Sequence, residues 1–448
     1  MAQEKLTGAG GSRLSFNGTH LSTSRRAFMQ ALAGGAAISC VPGAYAFGAA
    51  NAPAVGGETA KGFERVREVF AANAAEVGPG GASFAAYHKG KKVVDLWAGL
   101  QNPGVPWTRN TMACYYSSTK IAPGLVAMRL VDQGKLQLDV PVAKYWPEFA
   151  QKGKGAITVR QVLAMEGGIP YIPGYEDFMF PSGSGWDNIE EIEKRLAGTA
   201  PMVEPGIPAY PAQCFGYLVD GFVRRIAGRR VKDIFNDDIC KPLKVDLWMG
   251  PPEDVVRKHY ATLYPDRPPQ PGATPAASSP LRDKVFHIVN GRTILQDLAP
   301  WGMNPVFLRS GAGVGEMIGT AEGLAKLYVM IMNGGSMDGV KIIEPQTLKT
   351  FLTVQSPNKH ELIFNRKSVW MLGGFQANMV QGVEVPGNQN NSLTYGPGKM
   401  AFGKNGAGGQ NGFADPEAGL TIAFLRSELT FQSPLQRRLI DATYASLA

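Results

Sequence analysis

The sequence predicts an α/β (α+β) fold, in which an antiparallel sheet is flanked by N- and C-terminal helices and a mostly helical part is inserted between its strands. Two groups of strand patterns carry this reading. An early one, SFAAYHKGKKVVDLWAGLQ, has turn residues near Lys89-Gly90, and a late one covers Trp370–Phe375, Ala401-Phe402 and GLTIAFLRS. A third observation is that helical periodicity separated by long Gly/Pro loops fills residues from about 165 to 320. The division that follows is a leader over residues 1–46, an α/β part over 47–110 and 320–448, and a helical part over 111–319.

Taken in order, residues 61–77 (KGFERVREVFAANAAEV) form an amphipathic helix ended by the GPGG run at Gly78–Gly81, and the early hairpin follows. Tyr115-Tyr116-Ser117-Ser118-Thr119-Lys120 then leads into IAPGLVAMRLVDQGKL. There Leu125, Met128 and Val131 form an apolar face, and Gly134 stands where a C′ cap belongs. Thr158 in Ile157-Thr158-Val159-Arg160 is placed to cap a short helix. Two long loops, Tyr171–Trp186 and the proline-rich Tyr264–Pro280, read as surface excursions able to wall a cleft. AQCFGYLVDGFVRRIAG is helical with Tyr217, Val219 and Phe222 on apolar positions, AEGLAKLYVMIMNGG is the next long helix, and SPLQRRLIDATYASLA closes the chain.

A chain of 448 residues with 44% hydrophobic content is ample for a large core. Its formal charge is +8, but Lys5, Arg13, Arg25 and Arg26 against Glu4 lie in the first 46 residues; without them 41 basic and 36 acidic residues remain, a surplus of +5. That is no nucleic-acid footprint, and the Arg229–Lys232 run reads as a solvated helix edge. Ser24-Arg25-Arg26-Ala27-Phe28, an uncharged segment too short and Gly/Ala-rich for a stable membrane span, and the small-x-small Ala44-Tyr45-Ala46 together look like a signal for the twin-arginine export machinery. Cleavage after Ala46 and a periplasmic product are expected. Cys114, Cys214 and Cys240 then remain, read as buried thiols. The five histidines are scattered, so no metal site and no cofactor is expected.

Chemistry concentrates in three segments. Ser117 and Lys120 are spaced i, i+3, which on a helix puts the amine one turn above the hydroxyl, at an N-terminus whose free N–H groups favour a developing oxyanion. A second Ser-x-x-Lys, Ser356–Lys359, precedes HELIFNRK, which has no long apolar face, and reads as a solvated loop or cap. Tyr210 lies just before a helix, at a corner where its phenol, with pKa lowered by nearby ammonium groups, can accept or pass a proton. Lys404-Asn405-Gly406-Ala407-Gly408-Gly409 is the only Lys-x-Gly in the chain. It supplies a positive charge, glycines that let backbone approach a ligand, and an Ala407 N–H at a strand edge.

In this order and spacing, SSTK, YPA and KNGAGG resemble the motifs of the serine β-lactamase and penicillin-binding superfamily, above all class C β-lactamases and family VIII carboxylesterases. Similarity spans about Lys61 to Leu447, and GFADPEAGLTIAF looks particularly like the esterase branch. The resemblance implies a β-lactamase/transpeptidase-like fold. It implies Ser117 as acylated nucleophile, Lys120 and Tyr210 sharing the base and acid work, and Lys404 as electrostatic partner. The Ser117 and Ala407 N–H groups would form the oxyanion hole, and Asn405 and Gly406 would lie along the substrate. Three positions and one run depart from the pattern. Ala212 stands where an asparagine would contact an acyl-side amide, which favours esters over β-lactams; Asn405 replaces a threonine or serine; LAMEGGI replaces a common Leu-Thr-His-Thr-Ser-Gly-Leu run. Pro123 should distort the early turns of the nucleophile helix.

The expected function is a serine hydrolase acting on a small carboxylic ester. The same site could serve a β-lactamase, a D-amino-acid peptidase or amidase, or an acyltransferase. A noncatalytic binder of wall peptides would not need the four polar residues intact, and an α/β-hydrolase is disfavoured because the chain has no Gly-x-Ser-x-Gly.

Overall fold

The computed structural model of the chain describes residues 52–179, 184–265, 279–286, 297–378, 394–430 and 434–447. The leader and most of the proline-rich Tyr264–Pro280 loop lie outside the described residues, as do residues 180–183 of the Tyr171–Trp186 loop.

Lys89 and Gly90 both take positive φ (48° and 77°), the two-residue turn that matches the twist of a hairpin, and they join strand β2 (Gly81–His88) to β3 (Lys91–Asn102). Around this hairpin the other strands assemble: β1 (Gly56–Thr59), β4 (Val105–Pro106), β5 (Gln376–Ala377), β6 (Phe402–Gly406), β7 (Gln410–Asp415) and β8 (Leu420–Arg426). They form an eight-stranded antiparallel sheet of order β1-β3-β2-β8-β7-β6-β5, with β4 paired to β3. The join between early and late strands is β2 with β8, in register from Ala82↔Arg426 to His88↔Leu420.

Side chains alternate across this join, as the pleat requires. Ala82, Phe84 and Ala86 of β2 and Leu420, Ile422 and Phe424 of β8 are buried with Val66 and Phe70 of helix α1 (Glu64–Ala72) and Leu435 and Leu439 of the last helix, Pro434–Ala445. On the opposite face Ala85, Tyr87, Ala423 and Leu425 join the larger core, with Leu324 and Tyr328 of the helix Ala321–Met332. The expected helix over 61–77 is broken: Asn73 turns its side-chain amide to the Val69 carbonyl (2.7 Å), and a 3₁₀ turn, Ala74–Val77, completes it. Thr158 caps its helix as expected, and its N–H donates in return to Gln161 Oε1 (2.9 Å), closing a capping box.

Two local expectations fail. Trp370–Phe375 is not a strand, apart from an isolated bridge at Trp370, because Gly373 and Gly374 adopt positive φ (70° and 88°) in a 3₁₀ turn. The Arg229–Lys232 run is not a solvated edge either. Arg229 bonds Asp237 and Asp238 (2.8 and 3.0 Å), and Arg230 bonds Asp220 (2.8 Å), a carboxylate only 1% exposed that also accepts from the Val231 N–H. Among the described residues no helix is long and apolar enough to cross a membrane.

Candidate active site

The nucleophile segment is fixed before its helix begins. Ala113–Cys114 pairs with Ile318–Gly319, Tyr115 donates its N–H to the Met317 carbonyl (2.8 Å) and its hydroxyl to the Thr320 carbonyl (2.8 Å), and the Met317 N–H reaches back to Thr119 Oγ1 (3.1 Å). Tyr116 then takes φ 45°, a left-handed conformation that costs a bulky residue roughly 1–3 kcal/mol. Its buried hydroxyl donates to the Leu298 carbonyl (2.7 Å), part of what holds it there. Ser117 follows in a 3₁₀ turn, Tyr116–Lys120, and only then does helix α2 (Ile121–Asp132) start. Pro123 accounts for the tight turn: it has no N–H for the carbonyl of Thr119 and its ring crowds that carbonyl, so α-helical bonding cannot extend back over the serine.

The turn is bolted to the sheet. Ser118 Oγ donates to the Lys404 carbonyl of β6 (2.7 Å), and a Cβ at Gly406 would overlap the Tyr115 carbonyl oxygen, so glycine is required by close approach. Gly373 and Gly374 serve the other side. A Cβ at Gly124 of α2 would overlap the Gly373 carbonyl, and one at Gly374 would sit 2.7 Å from the Lys120 carbonyl oxygen.

Tyr210 Oη donates to Ser117 Oγ at 2.8 Å. The Lys120 amine lies 5.1 Å over the Tyr210 ring and donates to the carbonyls of Ala212 (2.8 Å) and Val314 (2.7 Å). The Lys404 amine lies 5.1 Å from the centre of the Tyr210 ring and 5.2 Å from that of Trp370, and those two rings stack at 5.1 Å and 7°. Tyr210 therefore reaches Ser117, the two predicted amines both lie over the Tyr210 ring, and all three residues are buried.

Burial sets their proton affinities. It lowers Lys120 to about 7, with Glu316 and Cys214 pushing weakly the other way. It drives Lys404 well below the usual lysine range, helped by repulsion from Lys120. Tyr210 goes up rather than down, because burial outweighs the hydrogen bond to Ser117. The expectation of a phenol acidified by ammonium groups is corrected for the same reason: the burial that would make a phenolate costly also discourages the ammonium ions meant to stabilise it. A neutral amine has two N–H bonds and a lone pair; with both donors held by carbonyls, Lys120 is left with an acceptor.

Two carboxylates that the sequence did not single out hold this arrangement. Glu316 is fully buried and accepts from the N–H groups of Gly313 (2.7 Å), Val314 (3.1 Å) and Gly315 (2.9 Å), fixing the loop whose Val314 carbonyl meets Lys120. Glu361, 1% exposed, accepts from the N–H groups of Tyr210 (2.8 Å), Ile363 (3.2 Å) and Phe364 (2.6 Å). Ser356–Lys359 itself is a partly exposed turn, as expected, whereas the segment after it walls the site. Phe364 packs 5.2 Å from Tyr210, and Lys359 binds the Gly206 carbonyl (2.5 Å) and pairs with Glu166 (3.5 Å).

Ser117 opens on a small cleft of about 50 Å³ with Ala407 at its edge. Trp186, Trp301 and Phe307 form an edge-to-face cluster along it, Trp186 lying 5.6 Å from Trp301 and 4.9 Å from Phe307. Ala407 heads a 3₁₀ turn, Ala407–Gly409, directly after β6, while Asn405 is exposed. Cys114, Cys214 and Cys240 are free and buried, and the first two donate to the carbonyls of Gly315 (2.8 Å) and Ile169 (3.1 Å) beside the site. Among the described residues no group of three or more His, Cys, Asp or Glu side chains is placed to hold a metal ion.

The sequence profile of the beta-lactamase family matches residues 66–444, most of the chain. The chain belongs to the beta-lactamase family. It is 29% identical over 370 residues to the esterase/beta-lactamase LipL of Mycobacterium tuberculosis, covering 80% of this chain and 78% of that protein. Among solved structures it is similar to a penicillin-binding protein homolog from Caulobacter crescentus, with a TM-score of 0.73 and 30% identity over 88% of this chain and 99% of the other. A family VIII carboxylesterase has a TM-score of 0.72 and 27% identity over the same shares, 88% and 99%. The resemblance read from the three motifs and the mixed α/β architecture both hold, and the protein is a hydrolase of beta-lactamase fold. The Ala212 side chain offers no polar atom; its carbonyl accepts from Lys120 and its N–H donates to the Tyr210 carbonyl (3.0 Å).

Proposed function

We propose that the protein hydrolyses small carboxylic esters through an acyl-enzyme on Ser117. The observation that carries this reading is the 2.8 Å hydrogen bond from Tyr210 to Ser117, beside a buried amine whose pKa is about 7, at the mouth of a small, largely apolar cleft. Lys120, half neutral near pH 7, takes the Ser117 proton as Oγ bonds the ester carbon. The Ser117 and Ala407 N–H groups stabilise the oxyanion. Tyr210, protonated throughout this range, gives its proton to the departing alkoxide and regains one from Lys120. The carbon–oxygen bond to the alcohol breaks, and water repeats the sequence to release the acid. The aromatic lining and the missing side-chain amide at Ala212 favour an ester over a polar peptide or β-lactam.

Substituting Ser117→Ala should reduce turnover of nitrophenyl acetate or butyrate by about 10⁴-fold or more and abolish covalent labelling by a phosphonate. Undiminished labelling of the mutant would refute the assignment. Nitrocefin and a D-Ala-D-Ala peptide, assayed under the same conditions, separate the ester reading from a β-lactamase or peptidase. We also propose that the first 46 residues direct export by the twin-arginine machinery to the periplasm. Intact-mass measurement of the exported protein should give a chain beginning at Phe47, and a different start would count against it.

A further inference from the structure

The cleft beside Ser117 holds a polar group that the ester chemistry leaves unused. Gln213 follows Ala212, is 1% exposed, and lines the cleft with Ser117 and Ala407. Its Nε2 donates to the Val285 carbonyl at 2.6 Å, which fixes which end of the amide is nitrogen, since a carbonyl can only accept. Its Oε1 is buried and has no hydrogen-bond partner among the described residues. The neighbouring lining, Phe286, Leu298, Trp301 and Phe307, is apolar. A buried acceptor without a donor is unfavourable, and at a position with no other use a leucine or methionine would fill the space without that cost.

We propose that Gln213 Oε1 is a specificity determinant that accepts a hydrogen bond from an O–H or N–H group carried by the substrate. The preferred ester then bears a hydroxyl or amide N–H close to its scissile bond and is not a plain hydrocarbon ester. This rests on the Ser117 ester reading. Discrimination is sharpened by the apolar walls: an analogue that lacks the donor leaves Oε1 unpaired, while one that has it supplies a partner.

The test uses isosteric pairs in two series, each rate divided by that for hydroxide hydrolysis of the same ester. In the acyl series, nitrophenyl 2-hydroxypropanoate and 3-hydroxybutyrate are compared with 2-methylpropanoate and 3-methylbutyrate. In the alcohol series, 2-hydroxyethyl acetate is compared with propyl acetate. In at least one series the donor-bearing ester should have a kcat/KM about tenfold or more above its isostere, and that ratio should fall to near one in both Gln213→Leu and Gln213→Met. The series that responds locates the donor on the acid or the alcohol. Absence of a wild-type preference in both series would overturn the proposal without recourse to any variant, as would a preference that survives both substitutions. Phosphonate labelling of Ser117 separates the two levels: wild-type protein that is labelled and hydrolyses esters without preference defeats only the role of Gln213, whereas wild-type protein that is neither labelled nor active defeats the ester reading beneath it.

Discussion

At the residue scale, the proposed reaction turns on which of two buried groups is willing to be charged. Burial brings the Lys120 pKa to about 7, and in the base role we propose for it the active form is the neutral amine. Activity therefore rises with pH as the amine loses its proton. A profile of kcat/KM against pH should fall off below about 7 and level above it, with no descending limb from Tyr210 near neutrality, since burial raises that phenol. Lys120→Arg, charged at every accessible pH, should lose both the limb and most of the rate; an unchanged limb in that variant would assign the titration elsewhere. Much of this site was legible. Ser117, Lys120, Tyr210 and Lys404 are each announced by a short local pattern, and the structure brings them together. Glu316 and Glu361 were not, because their work is to collect backbone N–H groups. Such a role leaves no side-chain signature, and Glu361 reaches Tyr210 across 151 positions of sequence. The sign of the Tyr210 shift was missed for a related reason: burial dominates it, and burial is a property of the assembled fold.

At the element scale, the nucleophile helix is set by close backbone approach as much as by its apolar face. Gly124→Ala is a sharp test because two effects oppose each other. Helix propensity favours alanine by about 1 kcal/mol, while overpacking against a rigid neighbour costs roughly 1–3 kcal/mol. The neighbour is the Gly373 carbonyl, backbone in a turn of positive φ that cannot yield like a side chain. The clash should win: urea unfolding should show a net loss of stability, with reduced ester turnover because Gly374 packs on the Lys120 carbonyl. Equal or greater stability would mean that the turn gives way. The same contact explains the misread strand. Trp370–Phe375 has strand-like residues at both ends, but Gly373 and Gly374 are there to admit a helix whose Gly124 lies 249 positions before Gly373, which periodicity cannot reveal. The hairpin, the Thr158 cap and the long helices were legible because their causes lie within a few residues.

At the scale of the whole molecule, the sheet depends on both ends of the chain, and the last helix covers the face that the first helix also covers. Leu435, Leu439 and Ile440 are buried there, and at roughly 1.5–3 kcal/mol each they account for about 4–9 kcal/mol, comparable with the entire stability of a typical domain. Removing residues 434–448 should therefore leave a protein that is rapidly degraded by added protease and binds hydrophobic dyes; a compact, resistant product would contradict this account. The bond from Ser118 to the Lys404 carbonyl has a further consequence during synthesis. The turn that carries the hydroxyl emerges from the ribosome nearly three hundred residues before the strand to which it is fastened. Until that strand arrives the turn that carries Ser117 lacks this fastening. Assembly of the site is thereby deferred until a late strand has been made, a delay written into the order of the chain.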